Sequence, residues 1–200
     1  EPGRRAAAIL GAGVQDLVRG QAEDLMFESR SDVTVADTLH MEAGKTGALL
    51  SCSASLGAVL ADAPQEVVDG LAEFGARLGT AFQLIDDLLG IWGDPAVTGK
   101  PVLSDLRSRK KSVPVVVALE AGGADAEELR AFLTGTGEPT EAELTHIAAL
   151  IERAGGRDWT SAEAERQLQE CENLLRSLSL PSTVEAELLA LARFVTERDR

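Results

Sequence analysis

Gln65-Glu66-Val67-Val68 opens a run, QEVVDGLAEFGARLGTAFQLIDDLLGIW, that continues to Trp92 without a proline. Its apolar residues recur at helical spacing on several sides, which predicts a long buried helix at the centre of a bundle. Asp62-Ala63-Pro64 stands in front of it, with Pro64 suited to a first helical turn. Within the run lies Phe82-Gln83-Leu84-Ile85-Asp86-Asp87-Leu88-Leu89-Gly90. Two adjacent carboxylates inside an apolar helix are costly without a cation. Gln83, Asp86 and Asp87 fall at i, i+3 and i+4, on one face. Hard oxygen ligands at that spacing suit Mg²⁺, which keeps several waters and bridges to phosphates. A solvated acidic face is the commoner fate of an aspartate pair, but the apolar surroundings here argue for a site.

Outward from this helix the period stays helical. Arg4 to Glu28, Thr38 to Leu60, Glu127 to Leu133, Glu141 to Ala154, Ser161 to Leu178 and Thr183 to Arg198 are predicted helices. Asp32 to Asp37 reads as a break with Thr38 as the cap that follows it. Thr140 with Glu143 forms a capping box, and Ser161 with Glu163 or Glu165 a less clean one. Gly93 to Lys100 is a predicted loop and Gly122 to Asp125 a linker. Val113 to Glu120 is β-branched, yet with no partner strand it is assigned to helix. The expected fold is therefore all-α, an antiparallel helix bundle around a central cavity.

Composition agrees. Of 200 residues 44% are hydrophobic but only 4% aromatic, so the core is built of Ala, Leu and Val in close-packed helices. A net charge of −14 argues against nucleic acid as a partner. Cys52 and Cys171 form no framework, which points to a reducing, cytoplasmic setting. No apolar stretch reaches the roughly 18 residues that span a bilayer. Glu1-Pro2-Gly3 runs straight into a helix already under way, so the chain is expected to be the C-terminal part of a single domain.

Three further clusters carry charge. Gly99-Lys100 and Asp105 are followed by Arg107, Arg109, Lys110 and Lys111, cations suited to phosphate oxygens and equally to a solubilising patch. Gly44-Lys45-Thr46-Gly47 places one lysine in a helix whose small residues, from Gly44 to Ala58, allow close approach. Gln21, Asp24 and Glu28 share a face after Gly20, as an ordinary solvated face also would.

Together Gly20-Gln21-x-x-Asp24, Lys45-Thr46, Phe82-Gln83-x-x-Asp86-Asp87, Gly99-Lys100 and Ser104-Asp105-Leu106 through Lys110 to Pro114 resemble the polyprenyl synthetases of the farnesyl and geranylgeranyl diphosphate synthase type. The resemblance implies that Mg²⁺ ionises an allylic diphosphate, isopentenyl diphosphate attacks the cation, and a proton is lost. It implies Asp86 and Asp87 as metal ligands, Lys45, Thr46, Lys100 and Lys110 as contacts of the diphosphate, and Gln83 as part of the site. It further implies a homodimer, or a dimer with an N-terminal partner. Two departures stand out. The second motif ordinarily reads Asp-Asp-x-x-Asp, and Gly90 occupies its last position, with Asp94 one turn on as the candidate replacement. The first aspartate-rich motif is not in these residues and is expected upstream. A non-catalytic subunit of a heteromeric synthase and a class I terpene cyclase are the rival readings.

Overall fold

The computed structural model describes residues 1–99 and 101–196. Lys100 and the end of the predicted helix running to Arg198 lie outside the described residues. Every regular element among the described residues is helical: α1 (Pro2–Phe27), α2 (Val35–Glu42), a π-helical turn (Ala43–Gly47), α3 (Ala48–Leu60), α4 (Gln65–Trp92), α5 (Pro95–Thr98), α6 (Ser104–Arg107), α7 (Val113–Ala121), α8 (Gly123–Thr134), α9 (Glu141–Arg153), α10 (Gly156–Ser177) and α11 (Ser182–Thr196).

Helix α4 is the axis. Its 28 residues span about 42 Å. Helix α3 packs along one side and α10 along another, and α1 covers α3 and the π-helical turn. Two apolar clusters meet α4 at different heights. Leu71, Phe74 and Leu78 pack against Cys171, Leu175 and Leu178. Ile91 joins Leu106, Val115, Leu144 and Leu150 at the other end. Between these clusters α4 carries Asp86 and Asp87.

Several local expectations need correction. The helix after the first break starts at Val35, capped by Thr34, whose hydroxyl accepts from the Asp37 amide while the Asp37 carboxylate accepts from the Thr34 amide. Thr38 is buried one turn inside and donates to the Thr34 carbonyl. Helix α10 starts at Gly156, five residues before Ser161, because Gly155 at φ 84° turns the chain in the left-handed region where a glycine is free of strain. Glu163, in place of a capping role, binds Arg166 and Gln167. The predicted loop contains the short α5, and the linker before Asp125 is largely the first turn of α8. The Thr140–Glu143 capping box is present.

Candidate active site

The site is assembled on the charged face of α4. Asp87 is wholly buried, and its oxygens are engaged from three sides. Lys110 Nζ donates to Oδ1 at 2.7 Å and Gln83 Nε2 to the same oxygen at 3.3 Å. The Val113 amide, in the first turn of α7, donates to Oδ2 at 2.9 Å. Gln83 in turn accepts from the Thr46 hydroxyl at 3.1 Å. Thr46, Gln83, Asp87 and Lys110 thus form one hydrogen-bonded line that joins the π-helical turn, α4 and the segment before α7. Asp86, the preceding residue on α4, is half-buried beside this line.

Lys110 reaches α4 because Arg109 adopts a left-handed backbone, φ 53°, that turns the chain inward. Burial opposes its charge, but Asp87 and Asp105 outweigh that and hold its pKa above the usual lysine value. The rest of the basic stretch is committed elsewhere. Arg107 pairs with Glu141, and Arg109 donates to the carbonyls of Phe132 and Gly137 and lies over the Phe132 ring. Lys111 donates to the carbonyls of Phe27 and Glu28, satisfying the C-terminal end of α1. Of these four cations, Lys110 is the one that enters the acidic face of α4.

Lys45 sits in the π-helical turn. Such turns widen a helix by one residue per turn and occur often at functional sites. Its Nζ lies 2.5 Å from Asp24 Oδ2. Gly20 explains how that pair forms. A Cβ there would overlap the backbone nitrogen of Lys45, so α1 touches the turn backbone to backbone, and Asp24 follows one helical turn later. The weak Gln21, Asp24 and Glu28 cluster therefore belongs in part to the site. A cavity of about 200 Å³ opens here, lined by Asp24, Glu28, Ser108, Lys110 and Lys111 among others. It is smaller than the roughly 300–1,000 Å³ that encloses a whole drug-sized ligand, so it suits a polar head group better than a chain.

Glu42 is a residue that the sequence reading missed. It is 2% exposed, and burial, then the charge and hydrogen bonding of Asp87, push its carboxyl well above the usual range. Its Oε2 has no hydrogen-bond partner. No motif marks it. Its only signal was a carboxylate one turn before Lys45 on the buried side of a helix.

At the far end of the motif, Gly90 lies against Asp105. A Cβ on Gly90 would stand 2.5 Å from Asp105 Oδ2 and 2.6 Å from Oδ1. Asp94 is exposed, and it caps α5 by accepting from the Ala96 amide. Among the described residues no three His, Cys, Asp or Glu side chains converge to hold a metal by themselves. The donor set still fits Mg²⁺, because that ion takes one or two carboxylates and completes its octahedron with water and phosphate oxygens.

The polyprenyl synthetase family profile matches residues 3–151. The chain belongs to the polyprenyl synthetase family. It is 45% identical over 196 residues to a (2E,6E)-farnesyl diphosphate synthase of Mycobacterium bovis, an alignment that covers 96% of this chain and 55% of that protein. A polyprenyl synthetase from Streptomyces coelicolor A3(2) superposes with a TM-score of 0.92 at 48% identity, covering 97% of this chain and 59% of its own. A geranylgeranyl pyrophosphate synthase from Corynebacterium glutamicum, solved in complex with isoprenyl diphosphate and magnesium, superposes at 0.90 with 29% identity, over 99% of this chain and 56% of its own. This polyprenyl synthetase chain thus spans somewhat over half the length of the proteins it matches. The family profile takes in both the Lys45 turn and the Asp86-Asp87 helix.

Proposed function

We propose that the protein is a Mg²⁺-dependent prenyltransferase that extends an allylic diphosphate with isopentenyl diphosphate. The observation that carries this reading is the line from Thr46 through Gln83 and Asp87 to Lys110. It joins a hydroxyl, an amide, a buried carboxylate and an ammonium across three elements, and its Lys110 end lines the polar cavity beside Asp24. Mg²⁺, when bound, supplies charge neutralisation for the departing diphosphate. Of the two expected ligands, Asp86, the more accessible carboxylate, would hold it, while Asp87, wholly buried with both oxygens engaged, would fix Lys110. Lys45, Lys100 and Lys110 would hold the diphosphate oxygens, and Thr46 would join them by turning its one proton from Gln83 to the ligand. The C–O bond of the allylic diphosphate breaks with both electrons leaving on pyrophosphate. The double bond of isopentenyl diphosphate then forms the new C–C bond, and a proton is lost.

The unpaired state of both cysteines supports a reducing cytoplasmic setting. Among the described residues no helix is long and apolar enough to cross a membrane. Leu10, Val14 and Val18 leave an exposed apolar stripe on α1, which supports a homodimer, or a dimer with a partner that brings the first aspartate-rich motif. The similarities favour neither a non-catalytic subunit nor a terpene cyclase.

The test is transfer of labelled isopentenyl diphosphate into an extractable prenyl diphosphate by the intact natural protein, with allylic primers of increasing length. Incorporation that stops on chelating Mg²⁺ supports the reading. No incorporation with any primer rejects it, and a hydrocarbon formed from the primer alone would move the assignment to a cyclase.

A further inference from the structure

Among the described residues Asp62, Leu103 and Arg109 have a left-handed backbone without being glycine. Aspartate visits that region more readily than a long side chain does. An arginine at φ 53° stays there because its surroundings hold it, and such outliers gather at functional sites. The Arg109 amide donates to the Leu106 carbonyl at 3.0 Å, and the Lys110 amide to the Asp105 carbonyl at 2.9 Å, closing the turn that follows α6. The Arg109 side chain then leaves this turn for α8. Its Nε donates to the Phe132 carbonyl and its Nη1 to the Gly137 carbonyl, each at 3.0 Å, with Cζ 5.3 Å from the centre of the Phe132 ring. The Phe132 carbonyl lies in the last turn of α8, where carbonyls lack a helical donor. Phe132 itself packs on the apolar cluster around Leu129 and Leu144, so the anchor is part of the packed bundle. The next residue goes the other way, and Lys110 Nζ meets Asp87 Oδ1 at 2.7 Å.

We propose that Arg109 is a positioning residue of the diphosphate site: by fastening the left-handed turn to the end of α8, it delivers Lys110 to Asp87 and to the ligand. The proposal rests on the reading of the site as one that binds Mg²⁺ and diphosphate through Lys110. It makes the site depend on α8, an element that does not line its cavity. Glycine would adopt the same φ without strain, but it would leave the turn unfastened. Arg109 borders the cavity of about 200 Å³ as well, yet its guanidinium is engaged by α8 and the segment after it. Its effect on the ligand therefore passes through Lys110.

The experiment measures binding of inorganic pyrophosphate at fixed Mg²⁺ by calorimetry, with thermal unfolding in parallel, in the intact natural protein. Arg109→Gly should weaken binding by about 10-fold, the equivalent of one hydrogen bond to a charged group. In a Lys110→Gln background the same substitution should change the affinity little, because the route is already cut. Arg109→Lys, whose ammonium lacks the planar fork and the stack on Phe132, should also weaken binding, and it takes the place of Arg109→Gly should that variant fold poorly. Wild-type affinity in either folded variant overturns the proposal alone, even with a lowered melting temperature. So does a loss that persists undiminished in the Lys110→Gln background, which would put the guanidinium on the ligand itself. Labelling of the Lys110 amine, followed by mass spectrometry, should quicken in Arg109→Gly. Unchanged labelling overturns the proposal where the Lys110→Gln background binds too weakly for comparison. Absence of Mg²⁺-dependent binding in the wild type overturns the proposal together with the reading of the site.

Discussion

Asp86 and Asp87 are neighbours in sequence with different surroundings. Asp87 is sealed among Lys110, Gln83 and Val113, whereas Asp86 is half-buried. Replacing Asp87 with Asn keeps the shape but removes the charge to which Lys110 and the Val113 amide donate. Loss of a hydrogen bond to a charged group costs about 1.5–3 kcal/mol. Urea unfolding should show a loss of that size for Asp87→Asn and a smaller one for Asp86→Asn. Mg²⁺-dependent pyrophosphate binding should fall in both. Equal stability losses would show that the two carboxylates share one environment. The pair was legible as a charged face because Gln83, Asp86 and Asp87 have helical spacing. The division between them was not, since it is imposed by Lys110 and Val113, more than twenty residues away in sequence. Glu42 and the seating of Asp105 on Gly90 were hidden for the same reason, because neither belongs to a local pattern.

At the level of elements, α4 and α9 were readable from their own residues, because period and caps are local, whereas the β-branched α7 was assigned to helix only because the chain offers no partner strand. Helix starts that depend on a subtler signal were misplaced. Thr34 and Asp37 form a capping box with Asp where Glu is the commoner partner, and Thr38 competed for the same role. The hydrogen bond from the Thr34 amide, then that from the Thr34 hydroxyl, holds the Asp37 carboxyl below its ordinary 3.8. Its contribution to stability is therefore complete above that value and is lost as pH falls through the lowered folded value. The difference in urea midpoint between wild type and Asp37→Asn should be largest above about pH 4 and shrink as the pH is lowered further. A difference that stays constant over that interval would mean the cap does not depend on the charge. Gly20 gives the sharper case. Alanine gains about 1 kcal/mol of helix propensity over glycine. Overpacking costs about 1–3 kcal/mol, and the obstacle here is the Lys45 backbone, which cannot rotate away. Gly20→Ala should therefore lower the melting temperature despite its better propensity, and should weaken pyrophosphate binding by separating Asp24 from Lys45. A rise in melting temperature would show that α1 can slide over the turn.

Over the whole molecule, the proposed diphosphate substrates are anionic and so is the chain, at net charge −14. The fold reconciles the two by spending most of its basic stretch on structure and directing Lys110 into the site, where two carboxylates keep it charged. General composition could argue against nucleic acid but could not show this sorting, which depends on where α1, α8 and α9 place their carbonyls and acids. The Val113 amide carries a consequence of its own. An amide in the first turn of a helix has no partner in that helix and ordinarily trades its proton with water quickly. This one is bonded to a carboxylate inside the core, so it can exchange only when α7 parts from α4. In deuterium oxide it should be among the slowest amides of the chain, matching the rate set by global opening. Asp87→Asn should accelerate it selectively, and fast exchange in the wild type would show that α7 opens locally. One proton followed by nuclear magnetic resonance would then act as a clock for the integrity of the end of the bundle where α7 meets α4.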